Sequence, residues 1–182
     1  MSRLFIALKI PQDIREKIFN LPQKIVYDYG DYRWEPADKI HLTLKFIGDV
    51  DEELIEPICD SIGFISDYSA FKCNLTRFGF FYRLKDAKIL WLGLSIDESI
   101  KDLVKKLNDK LAEFGIAAGN REFKPHLTML RIKNKTDKNF IDSFLKFKFE
   151  PEKFISKKVS LMQSKLNPSG SVYSDVKIFN LK

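Results

Sequence analysis

The side chains best suited to chemistry in this 182-residue chain are its two histidines. Both stand in one pattern, His41-Leu42-Thr43-Leu44 and His126-Leu127-Thr128-Met129, two copies of His-x-Thr-x placed 85 positions apart. Side chains of an extended strand alternate between its faces. His41 and Thr43 then share one face, Leu42 and Leu44 the other, and the second copy repeats the arrangement. If the two strands meet, two imidazoles and two hydroxyls converge on one pocket. With an ordinary pKa of about 6.5, a histidine can be neutral or charged near neutral pH. A neutral ring takes a proton from water and a charged ring protonates a leaving oxygen. Threonine hydroxyls donate to the non-bridging oxygens of a phosphate. The pattern predicts metal-free acid/base chemistry on a phosphate, with His41 and His126 catalytic and Thr43 and Thr128 binding the phosphate.

A single His-x-Thr would read as a hydrogen-bonded histidine at a sheet edge; the duplication carries the prediction. A zinc site needs about three or four ligands. The chain has no Cys-x-x-Cys, no His-Glu-x-x-His and no third histidine, so no metal and no other cofactor is expected. Cys59 and Cys73 show no motif spacing, and Cys59 is expected in a helix core.

The surroundings of the motifs resemble a known family. Paired His-x-Thr-x motifs are the signature of the two-histidine phosphoesterase superfamily, and the chain is similar to its RNA 2′,3′-cyclic phosphodiesterase branch, the LigT-like or 2′-5′ RNA ligase family. The likeness is carried by Arg3-Leu-Phe-Ile-Ala-Leu-Lys-Ile-Pro11, Arg33-Trp34 before His41-Leu-Thr-Leu-Lys-Phe-Ile-Gly48, and Phe78-Gly79 with Ile89-Leu-Trp-Leu-Gly93. Phe123-Lys-Pro-His-Leu-Thr-Met-Leu-Arg131, Leu161-Met-Gln-Ser164 and Gly170-Ser-Val-Tyr173 complete it. The chain departs from the family at Phe81-Tyr82, where Phe-Pro is frequent, and at Gly170-Ser171, where Gly-Pro is frequent. The resemblance implies hydrolysis of a terminal RNA 2′,3′-cyclic phosphate to a 2′-phosphate, with the 3′ oxygen leaving. It implies His126 as the base that activates water, His41 as the acid, and Arg131 as a substrate-binding charge, although a lone arginine after a strand could equally make a surface ion pair. It also implies a possible reverse reaction, 2′-5′ ligation of tRNA halves.

The expected partner is RNA with a 2′,3′-cyclic phosphate end, with tRNA halves or small cyclic nucleotides as alternatives. Charge agrees: residues 121–182 hold 14 Lys and Arg against 6 Asp and Glu, whereas residues 1–120 hold 17 against 19. A basic excess suits a polyanion, and Lys133, Lys135, Lys138, Lys157 and Lys158 are candidates for RNA contact or simple solvation. Tyr173 and Trp34, and less so Phe80 and Tyr82, are candidates for stacking on a base. A non-catalytic module that binds RNA ends is the alternative of another kind; it would bind without either histidine.

Length and a 45% hydrophobic content fit one domain over residues 1–182. No apolar run approaches the roughly 18 residues of a membrane helix, and the N-terminal apolar stretch is too short for a signal peptide. A cytoplasmic monomer without membrane contact is expected. A strand over 3–9 is closed by Pro11. A helix over 12–27 should be interrupted by Pro22. Asp49 and Glu52 suggest a capping box ahead of Leu54, Ile55, Ile58 and Ile62. Strands over 70–80 and 87–95 flank a turn at 83–86. The strongest helical stripe is Ile100, Leu103, Val104, Leu107 and Leu111, with Gly115 as its C-cap. A short helix over 136–146 and strands over 148–163 and 172–180, joined at Asn167-Pro-Ser-Gly170, complete the chain. The order predicts an α+β fold of two pseudo-symmetric lobes, each an antiparallel sheet with outer helices, and a cleft between the sheets.

Overall fold

The computed structural model describes residues 1–119, 122–133, 136–168 and 170–182. Among the described residues, eight strands form two four-stranded antiparallel sheets, ordered β2-β1-β7-β8 and β5-β4-β3-β6. They are β1 (Ser2–Lys9), β2 (His41–Val50), β3 (Phe71–Arg83), β4 (Asp86–Ile96), β5 (His126–Arg131), β6 (Lys153–Ser156), β7 (Lys158–Asn167) and β8 (Gly170–Asn180). The helices are α1 (Gln12–Asn20), α2 (Ile55–Ser61), α3 (Ser99–Ala112) and α4 (Lys138–Lys146). This is the expected α+β fold. Among the described residues, no helix is long and apolar enough to cross a membrane.

Local chemistry accounts for most element boundaries. Pro22 opens a separate 3₁₀ turn, Pro22–Lys24, so the first helix stops at Asn20 rather than reaching residue 27. Gly115, at φ +74°, ends α3: the Ile116 N–H donates to Leu111 O and the Gly115 N–H to Ala112 O, the paired bonds of a Schellman cap. Asp137 caps α4 by accepting from the Phe140 N–H at 2.7 Å.

Two expectations are corrected. Asp49 caps no helix; it lies in β2, and its carboxylate accepts two hydrogen bonds from Arg3 on β1. The single strand expected over 148–163 is two strands in different sheets. β6 pairs with β3 and β7 with β1, and only Lys157 separates them. Phe154 and Ser156 are buried in one sheet, then Val159 and Leu161 in the other. Buried positions therefore lie on both sides of the exposed Lys157-Lys158, where the chain changes sheet partner. Lys135, and Ser169 of the last turn, lie outside the described residues.

The histidine strands β2 and β5 are edge strands, one in each sheet, and they face each other across the junction. Each is held by the segment that leads into the other. Trp34 makes an isolated bridge to Leu130, and the Glu35 N–H donates to Met129 O at 2.9 Å. Reciprocally, Lys45 of β2 is buried and its ammonium donates to Ala117 O, ahead of β5, at 2.5 Å. Leu4, Ile6, Leu8, Leu42, Leu90, Leu92 and Leu127 share one hydrophobic core with the apolar faces of the helices. The alternate residues point the other way. There Phe5, Ala7 and Met162 form a small second cluster with Tyr173 against it.

Candidate active site

Each histidine opens its strand and is fixed by its own backbone. His41 Nδ1 lies 2.6 Å from Lys39 O, and His126 Nδ1 lies 2.7 Å from Lys124 O. A carbonyl only accepts, so in both rings Nδ1 carries the proton and Nε2 is left for chemistry. His41 Nε2 meets Thr43 Oγ1 at 3.0 Å, which places motif hydroxyl and imidazole together on the face opposite Leu42 and Leu44.

Both motif strands bulge at the same step. Thr43 pairs with Ala7 and Lys45 with Ile6, leaving Leu44 over; Thr128 pairs with Trp91 and Leu130 with Leu90, leaving Met129 over. A bulge re-aims the residues that follow it. Lys45 and Leu130 thereby turn into the core, and the next residues, Phe46 and Arg131, return to the histidine face. Phe46 is 71% exposed, with its ring 6.4 Å from Phe5. Arg131 Nε donates to Glu35 Oε1 at 3.2 Å.

The two imidazoles sit in different aromatic surroundings. His41 lies 5.0 Å from the Phe5 ring and edge-on to Tyr173 at 5.5 Å. His126 is edge-on to Phe81 at 4.8 Å and 6.4 Å from Trp91. Burial lowers the His41 pKa to about 4; its hydrogen bond to Lys39 opposes this, and the charges of Lys9, Arg131 and His126 push it down further. His41 is thus neutral at pH 7. Burial also raises the Tyr173 pKa, helped by the nearby Glu35 carboxylate and opposed by Arg131. His41, His126, Arg131, Glu35 and Tyr173 therefore form one electrostatic group. Among the described residues, no three His, Cys, Asp or Glu side chains come together in a way that could hold a metal ion.

The structure brings His41, Thr43, His126, Thr128, Arg131 and Tyr173 to this face and puts Trp34 to structural use. The Trp34 indole N–H donates to Tyr29 O at 2.8 Å, its ring stacks on Tyr29 at 5.3 Å, and Tyr32 and Phe144 pack against it. Phe80 is in the core, and Tyr82 lies beside it, away from the histidines. Sequence reasoning missed Phe5, Lys9, Phe46, Phe81 and Trp91. Alternation with Leu90 and Leu92 was the available signal for Trp91, and Gly79 and Gly93 make room for its ring. Phe46 stands five residues after His41, just as Arg131 does after His126. Without the bulge, that spacing alone does not say which face it takes.

Two antiparallel sheets presenting paired imidazoles from adjoining edges define the class. The chain belongs to the LigT like Phosphoesterase family, whose model matches residues 8–91 and 94–173. It is 29% identical over 183 residues to an RNA 2′,3′-cyclic phosphodiesterase of Methanocaldococcus jannaschii, spanning 96% of this chain and 98% of that one. It is 32% identical over 131 residues to the Escherichia coli protein of the same description, spanning 71% and 72%. The crystal structure of E. coli LigT complexed with 3′-AMP superposes with a TM-score of 0.80 at 26% identity, over 100% of this chain and 98% of that chain. The chain is accordingly an enzyme of the phosphoesterase type.

Proposed function

We propose that this protein hydrolyses RNA ends bearing a 2′,3′-cyclic phosphate to 2′-phosphates by metal-independent acid/base catalysis. The observation that carries the reading is the matched pair of imidazoles. Each is locked in the same tautomer by the carbonyl two residues before it, and each presents Nε2 from an edge strand facing the other. The description of the relatives as RNA 2′,3′-cyclic phosphodiesterases supports the substrate.

In this reading the cyclic phosphate sits between the rings, its non-bridging oxygens taking hydrogen bonds from Thr43 and Thr128. His126 removes a proton from the attacking water, and His41, charged once the anion is beside it, protonates the departing 3′ oxygen. Phe46 and Tyr173 flank one side of the phosphate and Arg131 the other, which suits a base against the aromatic side and charge against the arginine. Both histidines come from one chain, in support of residues 1–182 acting as a single two-lobed, monomeric unit. The test is hydrolysis of a short RNA ending in a 2′,3′-cyclic phosphate, in excess EDTA, by wild type, His41→Ala and His126→Ala. A 2′-phosphate from wild type alone is expected. Full activity in either variant, or activity abolished by EDTA, would overturn the reading.

A further inference from the structure

The half-sites match in histidine, threonine, bulge and tautomer, yet acid/base catalysis requires one imidazole to give a proton while the other takes one. The match is broken by the residue that faces each histidine on the neighbouring strand. Gly93 faces His126, and Lys9 faces His41. Lys9 follows Phe5 and Ala7 on the alternation that points to the cleft, and its side chain is only 27% exposed. Its ammonium donates to both Asp175 carboxylate oxygens, at 2.9 and 3.2 Å. Ser160, fully buried, donates to the same carboxylate at 2.7 Å. Burial alone would raise the Asp175 pKa, but the hydrogen bonds from Lys9 and Ser160 outweigh it and hold the carboxyl below its ordinary range. Lys9 is therefore held in an ion pair with Asp175 while its backbone is paired with that of His41.

Among the described residues, the other charged or titratable groups around His41 and the Lys9–Asp175 pair are Arg131 and His126 on β5, Tyr173 on β8, Glu35 and Lys39 in the segment entering β2, and Arg15 on α1, whose charge acts on Asp175. Arg131 is paired with Glu35, and the Lys39 ammonium sits 6.0 Å over the Tyr173 ring. At the place corresponding to Lys9, the second half-site has a glycine and so no charge at all.

From this geometry we propose that Lys9, held by Asp175, is a positioning residue whose charge adds to burial in disfavouring the protonated form of His41, an effect that an anionic phosphate entering the cleft offsets. The entering phosphate offsets the lysine charge, and His41 Nε2 takes a proton from solvent. His41 then passes that proton to the leaving oxygen as the phosphorus–oxygen bond to it breaks. The bond from phosphorus to the water oxygen forms, and His126 accepts the water's proton and later returns it to solvent. The use of this device rests on the phosphodiesterase reading, but its electrostatics can be measured without turnover.

The experiment is an NMR titration of the two imidazoles in the full-length protein, assigned with a His126→Ala variant. Lys9→Met should raise the His41 pKa, and Asp175→Asn, which leaves the ammonium uncompensated, should lower it, each by on the order of half a pH unit for one charge in a partly wet cleft. Lys9→Arg should leave it in place. Saturating inorganic phosphate should raise it in wild type. Shifts of the same sign in Lys9→Met and Asp175→Asn, or no shift in either, overturn the proposal, as does a His41 pKa indifferent to phosphate. Should Asp175→Asn fail to fold, the contrast between Lys9→Met and Lys9→Arg decides. Opposed shifts in a protein that leaves cyclic-phosphate RNA intact would uphold the electrostatic pair and remove the phosphodiesterase reading; hydrolysis with an unmoved pKa would do the reverse.

Discussion

Phe46 and Arg131 occupy the same step of the two motif strands, five residues past their histidines and just past matching bulges, yet one is an exposed aromatic ring and the other a cation paired with Glu35. The scaffold repeats at this step and the chemistry does not. In the proposed reading a nucleotide in the cleft would meet an apolar ring from one motif strand and a charge from the other. Phe46→Ala is expected to raise KM by about 5- to 150-fold, the range for losing about 1–3 kcal/mol of base stacking, with kcat little changed. Arg131→Met should weaken binding and flatten its salt dependence. Steady-state kinetics on one cyclic-phosphate RNA at two salt concentrations measures both, and an unchanged KM in Phe46→Ala would take the base away from this ring.

The threonines are expected to act on the reacting phosphate rather than on the fold. Thr43→Val and Thr128→Val keep the branched shape and delete the hydroxyl. Each should lower kcat by roughly 100-fold, the scale for one lost donor to a developing negative oxygen. Thr43 also meets His41 Nε2 at 3.0 Å, so its loss should disturb the His41 titration as well. Single-turnover rates at saturating enzyme provide the check; undiminished rates would exclude the hydroxyls from the phosphate site.

His41 should make the fold sensitive to acid. Its folded pKa, near 4, lies below the unfolded value of about 6.5. The stability tied to its neutral form is therefore present above about pH 6.5 and is lost as pH falls toward 4. A difference of that size corresponds to roughly 3 kcal/mol. In His41→Asn, whose amide can replace the Nδ1–H donor to Lys39, this loss should vanish. Urea unfolding of both proteins at pH 7 and pH 4 tests it: the stability gap between them must shift by about that amount, against the wild type at the lower pH.

Gly79 is expected to tolerate no side chain. A Cβ there would stand 2.2 to 2.7 Å from three atoms of the Trp91 ring, and overpacking of that kind costs about 1–3 kcal/mol. Trp91 touches Phe81, which meets His126 edge-on, so Gly79→Ala should lower both Tm and kcat. Trp91→Leu in the same background should recover the Tm and leave the kcat low. A Gly79→Ala protein as stable as wild type would mean that the indole has another place to go.

Much of the site was legible because its pattern is local. A strand with period-two alternation puts His41 and Thr43, or His126 and Thr128, on one face without reference to the rest of the molecule. The end of α3 was legible for a similar reason, since Gly115 adopts a backbone angle that favours glycine. The aromatic guesses fared unevenly because an aromatic ring suits a core as well as a cleft. Trp34 found partners in Tyr29, Tyr32 and Phe144, whereas Trp91, marked only by its alternation with Leu90 and Leu92, lies on the side of the histidines.

What the chain determined by itself is therefore the pair of motif strands, with imidazole and hydroxyl on one face of each, and the glycine that ends α3, all set by neighbours within a few residues. What only the tertiary structure decided is partnership. The split of residues 153–167 between two sheets, the bulges that bring Phe46 and Arg131 back to the cleft, and the placement of Lys9 beside His41 but Gly93 beside His126 all depend on strand pairing. Pairing register is a long-range choice, made by which apolar faces can be buried together; no periodicity within a single strand records it.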